Sequence, residues 1–208
     1  MQILEVEIRT PDLPGARAFY AGVLGFPVAE EQDGSATFSV GASALTLRAG
    51  KTSGVYHLAF NIPENCFSEA RDWAMSRFPL LPDPDGNTAF RFESWDADAL
   101  YFTDPDGNIL ELIARHTLPG SRREGFEILS ISEVALATDD VRALAEELGL
   151  PRYQDGDENF QAVGDEEGLF ILVRAGRLWF PDRTLPAVSL PTVVAFEDDG
   201  TRRTLNRQ

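Results

Sequence analysis

Cysteine, histidine and lysine are nearly absent from this chain of 208 residues. Cys66 is the only cysteine, His57 and His116 are the only histidines, and Lys51 is the only lysine. One cysteine excludes an intrachain disulfide and leaves a structural cysteine–zinc site without ligands. No apolar run approaches the roughly 18 residues of a membrane span, and the first residues carry no basic-then-apolar leader, so the expected location is the cytoplasm. Glycine-rich phosphate loops are missing too: neither a Walker pattern nor GxGxxG occurs. Basic residues are outnumbered 18 to 34, for a net charge of −16. A field of that sign repels nucleic acid and anionic lipid, which excludes both as main partners. It favours a cationic ligand, although solubility alone is the plainer consequence.

What is present reads as an ordinary globular chain, 43% hydrophobic and 25% charged. The most informative stretch is Phe102-Thr-Asp-Pro-Asp-Gly-Asn-Ile-Leu-Glu-Leu112. Its Asp104–Asn108 cluster is dense turn chemistry between two β-rich runs, Ala99–Thr103 and Ile109–Arg115, and predicts a hairpin. Alternation on the second run puts Glu111 on one face with Ile109 and Ile113. A carboxylate between two isoleucines is costly to bury unpaired, so a metal ion or a salt bridge, to Arg9 or Arg48, is expected beside it. Val55–Ile62 alternates likewise, with His57, Ala59 and Asn61 opposite Leu58, Phe60 and Ile62. Ile3–Thr10 sets Glu5, Glu7 and Arg9 opposite Leu4, Val6 and Ile8.

These runs belong to a repeat of α+β type. Strand Ile3–Arg9, helix Leu13–Leu24 and three β-like runs form one unit. Strand His57–Ile62, a helix near Phe67–Phe78 and runs at Ala89–Trp95, Ala99–Thr103 and Ile109–Arg115 form the next. Asp12 serves as N-cap and Gly25 as terminator of the first helix. After a Pro/Gly-containing linker, Ser132-Glu-Val-Ala-Leu-Ala-Thr138 echoes Leu4-Glu-Val-Glu-Ile-Arg-Thr10 and opens a third unit, its helix about one turn shorter. A strand at Leu169–Arg174, a proline-bearing tail with one strand near Thr192–Phe196, and a frayed end at Thr201–Gln208 complete the expectation. The division is 1–116 for the double unit, 117–127 for the linker and 128–208 for the partial third unit.

Phe19-Tyr20, Leu24-Gly25-Phe26, the His57–Phe60 strand and Phe102–Leu112 together resemble the vicinal oxygen chelate superfamily. That superfamily includes glyoxalases, bleomycin-resistance proteins and extradiol dioxygenases, and the likeness covers roughly residues 3–115. The resemblance implies paired βαβββ modules curled into a cup, with helices outside. It implies metal ligands at four inward positions, which fall on Glu5, Thr46, His57 and Glu111. Thr46 is a poor ligand, leaving Glu5, His57 and Glu111 for the metal.

Two carboxylates and an imidazole suit Mn²⁺, Fe²⁺ or Mg²⁺, with Zn²⁺ and Ni²⁺ also admitted. Glu7, two residues from Glu5, is the candidate base, and Arg9, Arg48, Trp95 and Tyr101 are candidates to hold substrate. Glu133 is expected to be surface charge, His116 exposed and Cys66 structural. Two functions remain open. One is a metal-dependent lyase, isomerase or dioxygenase acting on a small oxygenated molecule; the other is a metal-free protein that sequesters a small molecule, as bleomycin-resistance members do. A third reading has residues 125–208 complete another cup with a second chain, as in a homodimer.

Overall fold

The computed structural model describes residues 1–207. Unit one comprises β1 (Gln2–Thr10), α1 (Leu13–Arg17) continuing as a π-helical turn over Ala18–Val23, β2 (Val28–Gln32), β3 (Ser35–Val40) and β4 (Ser43–Ala49). Unit two comprises β5 (His57–Ile62), α2 (Phe67–Met75), β6 (Phe90–Phe92), β7 (Ala97–Thr103) and β8 (Ile109–Arg115). Unit three is complete: β9 (Ser130–Thr138), α3 (Val141–Leu148), β10 (Arg152–Tyr153), β11 (Phe160–Asp165) and β12 (Gly168–Arg174). A terminal hairpin, β13 (Thr192–Asp198) and β14 (Thr201–Arg207), follows. No helix among the described residues is long and apolar enough to cross a membrane.

Helix starts follow the caps. The Asp12 side chain accepts from the Gly15 amide at 3.1 Å, and Asp140 accepts from the Ala143 amide at 2.9 Å. On β1 a register irregularity between Ile3 and Glu5 buries Ile3 where strict alternation would bury Leu4. The polar segment Thr201–Arg207, expected to fray, instead pairs with β13 along its whole length. Most of its side chains are exposed, so backbone hydrogen bonds place it together with buried Leu205 and with Arg203, which donates to the Leu148 carbonyl at 2.7 Å.

Among the described residues the strands form two sheets, ordered β14-β13-β1-β4-β3-β2 and β10-β11-β12-β9-β5-β8-β7-β6. Each draws strands from both sides of residues 117–127. Unit two pairs with unit three through antiparallel β5 and β9, and unit one pairs with the terminal hairpin through antiparallel β1 and β13. The paired-module architecture is therefore present, but units one and two do not share a sheet. Unit three also finds its partner within the chain, which removes the reason for a second chain to complete its cup.

The apolar faces of both sheets pack together with the helices in one core that includes Val6, Ile8, Leu58, Phe60, Leu112, Phe170 and Phe196. The other face of the eight-stranded sheet carries a second cluster, including Tyr101, Ile113, Ile171 and Trp179. That sheet is thus buried on both sides. The six-stranded sheet has a polar outer face, where Glu7 pairs with Arg48 and Glu5 with Thr46.

Tyr20 fastens unit one to the turn between β7 and β8. Its fully buried hydroxyl donates to Asp104 at 2.8 Å, and Asp104 also accepts from the Asp106 amide and from the amide and side chain of Asn108. Tyr20→Phe is expected to cost about 1.5 kcal/mol, because Asp104 keeps its other donors. Urea unfolding should show a lower midpoint at unchanged slope. A midpoint equal to the parent's would show that the bond contributes nothing to stability.

Candidate functional site

Three neighbouring strands build the site. In the order β9-β5-β8, Ala59 of β5 is the register partner of both Glu133 on β9 and Glu111 on β8. Neighbouring strands lie about 4.8 Å apart, so the two glutamates start roughly two spacings from each other. The methyl group of Ala59 leaves room for both carboxylates to lean inward over it. His57 stands two residues away on the same face of β5. Ligand atoms of His57, Glu111 and Glu133 all lie within 4.8 Å of one another, and all three residues are buried.

The imidazole is oriented by the backbone. His57 Nδ1 lies 3.1 Å from the Ile109 carbonyl, which can only accept, so Nδ1 carries the proton. Nε2 then faces Glu111 Oε2 at 3.4 Å. Two acceptors at that distance call for a shared proton or a metal ion between them. Burial works against a charged imidazole, but the Glu111 and Glu133 carboxylates outweigh it and raise the pKa of His57 above its ordinary value. Tyr101, directly across from Glu111 on β7, is held protonated by burial and by the same two carboxylates.

Glu133 has its own partner. Arg115, fully buried, forms an ion pair with it, and Ser132 Oγ lies 3.3 Å from the same guanidinium. The Arg115 guanidinium lies 5.4 Å from the Trp95 ring centroid and 5.8 Å from that of Tyr153. Burial and the neighbouring Glu111 nevertheless push the Glu133 carboxyl up to about 7, against the pull of Arg115 and His57.

Above this floor is a cavity of about 240 Å³, walled by Phe92, Trp95, Tyr101, Phe160, Ile171 and Val173. Its cover comes from residues 175–191, between β12 and β13, which contribute Arg177, Trp179 and Phe180. Backbone bonds close this strap on itself: Gly176 N to Ala187 O at 2.8 Å, Ala187 N to Arg177 O at 2.8 Å and Trp179 N to Leu185 O at 2.9 Å. Trp179 lies 5.7 Å from His57, and Phe180 5.2 Å from Tyr101, between ring centroids.

Of the residues singled out in the sequence, His57, Glu111, Trp95 and Tyr101 meet at this cavity. Glu5, Glu7, Arg9 and Arg48 belong to the other sheet, because unit one pairs with the terminal hairpin. There Thr46 donates to Glu5 at 3.0 Å, and Arg48 grips Glu7 with two bonds of 2.7 and 2.8 Å. That grip lowers the Glu7 carboxyl below its usual value, the reverse of what a base needs. Glu133, expected at the surface, is only 4% exposed and takes the place proposed for Glu5. A signal for it existed. The polar face of β1 reads Glu, Glu, Arg and suits solvent, whereas the corresponding face of β9 reads Glu133, Ala135, Ala137, a lone carboxylate among small apolar residues. His116 is partly buried, 2.8 Å from Asp98, and Cys66 is buried. Nothing in the sequence pointed to Arg177, Trp179 or Phe180, which lie in an aperiodic segment.

The chain belongs to the Glyoxalase/Bleomycin resistance protein/Dioxygenase superfamily, whose model matches residues 2–112. That match takes in His57 and Glu111 and ends before Glu133. A putative dioxygenase from Bacillus subtilis subsp. subtilis str. 168 is similar in fold, with a TM-score of 0.62 and 19% identity over 83% of this chain and 63% of that protein. The chain thus spans less than two thirds of that relative's length. A glyoxalase I mutant from Zea mays superposes with a TM-score of 0.54 and 17% identity, over 83% of this chain and 67% of the other. No curated protein matches the sequence.

Proposed function

We propose that His57 Nε2, Glu111 and Glu133 bind a divalent metal ion, and that the cup acts on a small oxygenated, ring-bearing substrate as a lyase, isomerase or dioxygenase. The observation that carries this reading is the convergence of three buried donors beneath an aromatic cavity, with His57 already held in the tautomer a metal requires. The donor set fits the group: one imidazole and two carboxylates suit Mn²⁺, Fe²⁺ or Mg²⁺ and admit Zn²⁺ and Ni²⁺. When bound, the metal would supply Lewis acidity to two neighbouring oxygens of a substrate.

The chain's own residues supply the rest. The Ile109 carbonyl fixes the ring of His57, and Arg115 holds one oxygen of Glu133 while leaving the other for the site. Tyr101 keeps its proton and can donate it in a hydrogen bond to a substrate oxygen. The aromatic walls and strap exclude water, which strengthens every electrostatic contact inside.

A second reading is a metal-free site that sequesters a small molecule, and one observation favours it: the Arg115–Glu133 ion pair already compensates a carboxylate that a metal would need. Elemental analysis separates the two. Stripped protein re-equilibrated with Mn²⁺, Fe²⁺, Zn²⁺ or Ni²⁺ is expected to take up close to one ion per chain. His57→Ala/Glu111→Ala and Glu133→Gln should lose it, and Glu5→Gln should not. An empty parent protein would leave the sequestration reading.

A further inference from the structure

The mouth of the cavity is chemically opposite to its floor. Glu111 and Glu133 lie at the bottom, and Arg177 stands on the strap at the rim. In a chain with 34 acidic residues, Arg177 and its neighbour Arg183 form no salt bridge among the described residues. Both line a second hollow on the outer side of the strap, with Leu178 and Phe180. Their charges oppose each other. Burial, followed by the charge of Arg183, lowers the Arg177 guanidinium from its ordinary value, and Asp157 relieves this only in part. The guanidinium carbon lies 5.3 Å from the centroid of Phe160, itself a wall of the cavity. That contact places the solvent-exposed guanidinium over the rim of the cavity.

We infer that the cavity takes a small aromatic carboxylate, its ring between the aromatic walls and its carboxylate on Arg177 at the rim. Two features carry this: a guanidinium with no carboxylate partner, held over an aromatic chamber, and a floor whose acids would repel the same anion if it entered the other way round. A guanidinium is suited to a carboxylate because its planar fork matches two oxygens at once. Size agrees. A cavity of about 240 Å³ falls below the roughly 300–1,000 Å³ of drug-sized sites, so the ligand is of the order of one ring with a short substituent. Arg183 contributes field at the rim and no contact with the chamber.

This inference rests on the cup being a ligand site and does not depend on the metal, so the two can fail separately. Phenylacetate and its neutral isostere phenylacetamide are to be titrated into metal-free protein by calorimetry and by quenching of tryptophan fluorescence. The parent should prefer the carboxylate by about ten-fold, the usual worth of one charged hydrogen-bonded pair. Arg177→Gln should bring the two ligands within about two-fold, Arg177→Lys should retain part of the preference, and Arg183→Gln should weaken it only modestly. Added salt should reduce the preference in the parent. Equal binding of the two ligands, binding of neither, or a preference that survives Arg177→Gln would each overturn the assignment. Metal uptake by Arg177→Gln should equal the parent's. A protein that takes up metal but shows no carboxylate preference would lose this inference alone, and one that shows the preference without metal uptake would lose the metal reading alone.

Discussion

Arg115→Met is expected to destabilise the metal-free protein by about 3–5 kcal/mol, the cost of leaving one member of a buried ion pair behind. For a chain of this size that corresponds to a fall in Tm of about 6–20 °C. Glu133 is almost fully buried, and after the substitution it would face Glu111 with His57 as its remaining neighbour able to carry positive charge. Because the cost comes from an orphaned charge and not from lost volume, removing the charge as well should recover most of it. The double variant Arg115→Met/Glu133→Leu should lie within about 1–2 kcal/mol of the parent, as in other buried pairs replaced by apolar groups. Thermal denaturation of the four proteins in the presence of chelator measures the coupling. A single substitution costing less than about 1 kcal/mol would mean that Glu133 is already protonated beside Arg115.

The same carboxylate sets a pH dependence in the direction that the chain's net charge of −16 already favours. Metal-free protein is expected to be more stable near pH 5 than near pH 8, by about 1–3 kcal/mol. Folding moves the Glu133 carboxyl from its ordinary 4.5 up to about 7, chiefly through burial and the proximity of Glu111. Between those values the folded chain binds a proton that the unfolded chain releases, so stability falls as pH rises through that window. His57 acts in the same direction. Its folded value lies above 6.5, so its contribution is present below that pH and is lost as pH climbs through the folded value. Glu7 works in the opposite sense, but at lower pH: Arg48 holds its carboxyl below 4.5, and that contribution disappears only as the solution becomes more acid. Urea midpoints at the two pH values, with chelator present, provide the test, and Glu133→Gln should flatten most of the difference. An unchanged slope in that variant would assign the dependence to His57 alone.

Strand pattern and turn chemistry made the repeating units legible in the sequence. Alternation on β5 and β8 gave the inward orientation of His57 and Glu111, because successive side chains of a strand point to opposite faces of the sheet. Which units share a sheet is a different kind of information. Glu5 and Glu133 occupy the same place in their repeats, and the pairing of β5 with β9 instead of β1 decides which of them approaches His57. That pairing is a non-local choice with no local signature beyond the alanines on β9. Tyr101 was recognisable because it lies across from Glu111 on a neighbouring strand, whereas Trp95, expected on a strand, reaches the cavity from a 3-10 turn over Glu93–Trp95 that follows β6. The strap was not recognisable, since residues 175–191 lack periodicity and acquire their shape from backbone bonds within the segment.

The inner-face cluster of the eight-stranded sheet includes Ala59, Ala97, Ala99, Ala135, Ala137 and Ala162, all almost fully buried. A sheet packed on both sides would ordinarily fill that face with branched side chains. Here the hollow exists because side-chain volume has been withheld, strand after strand, behind the residues that would touch a ligand. The capacity of the chamber is therefore set one layer behind its chemistry. Methyl groups could be added or removed there to change which molecules enter while His57, Glu111 and Glu133 stay as they are.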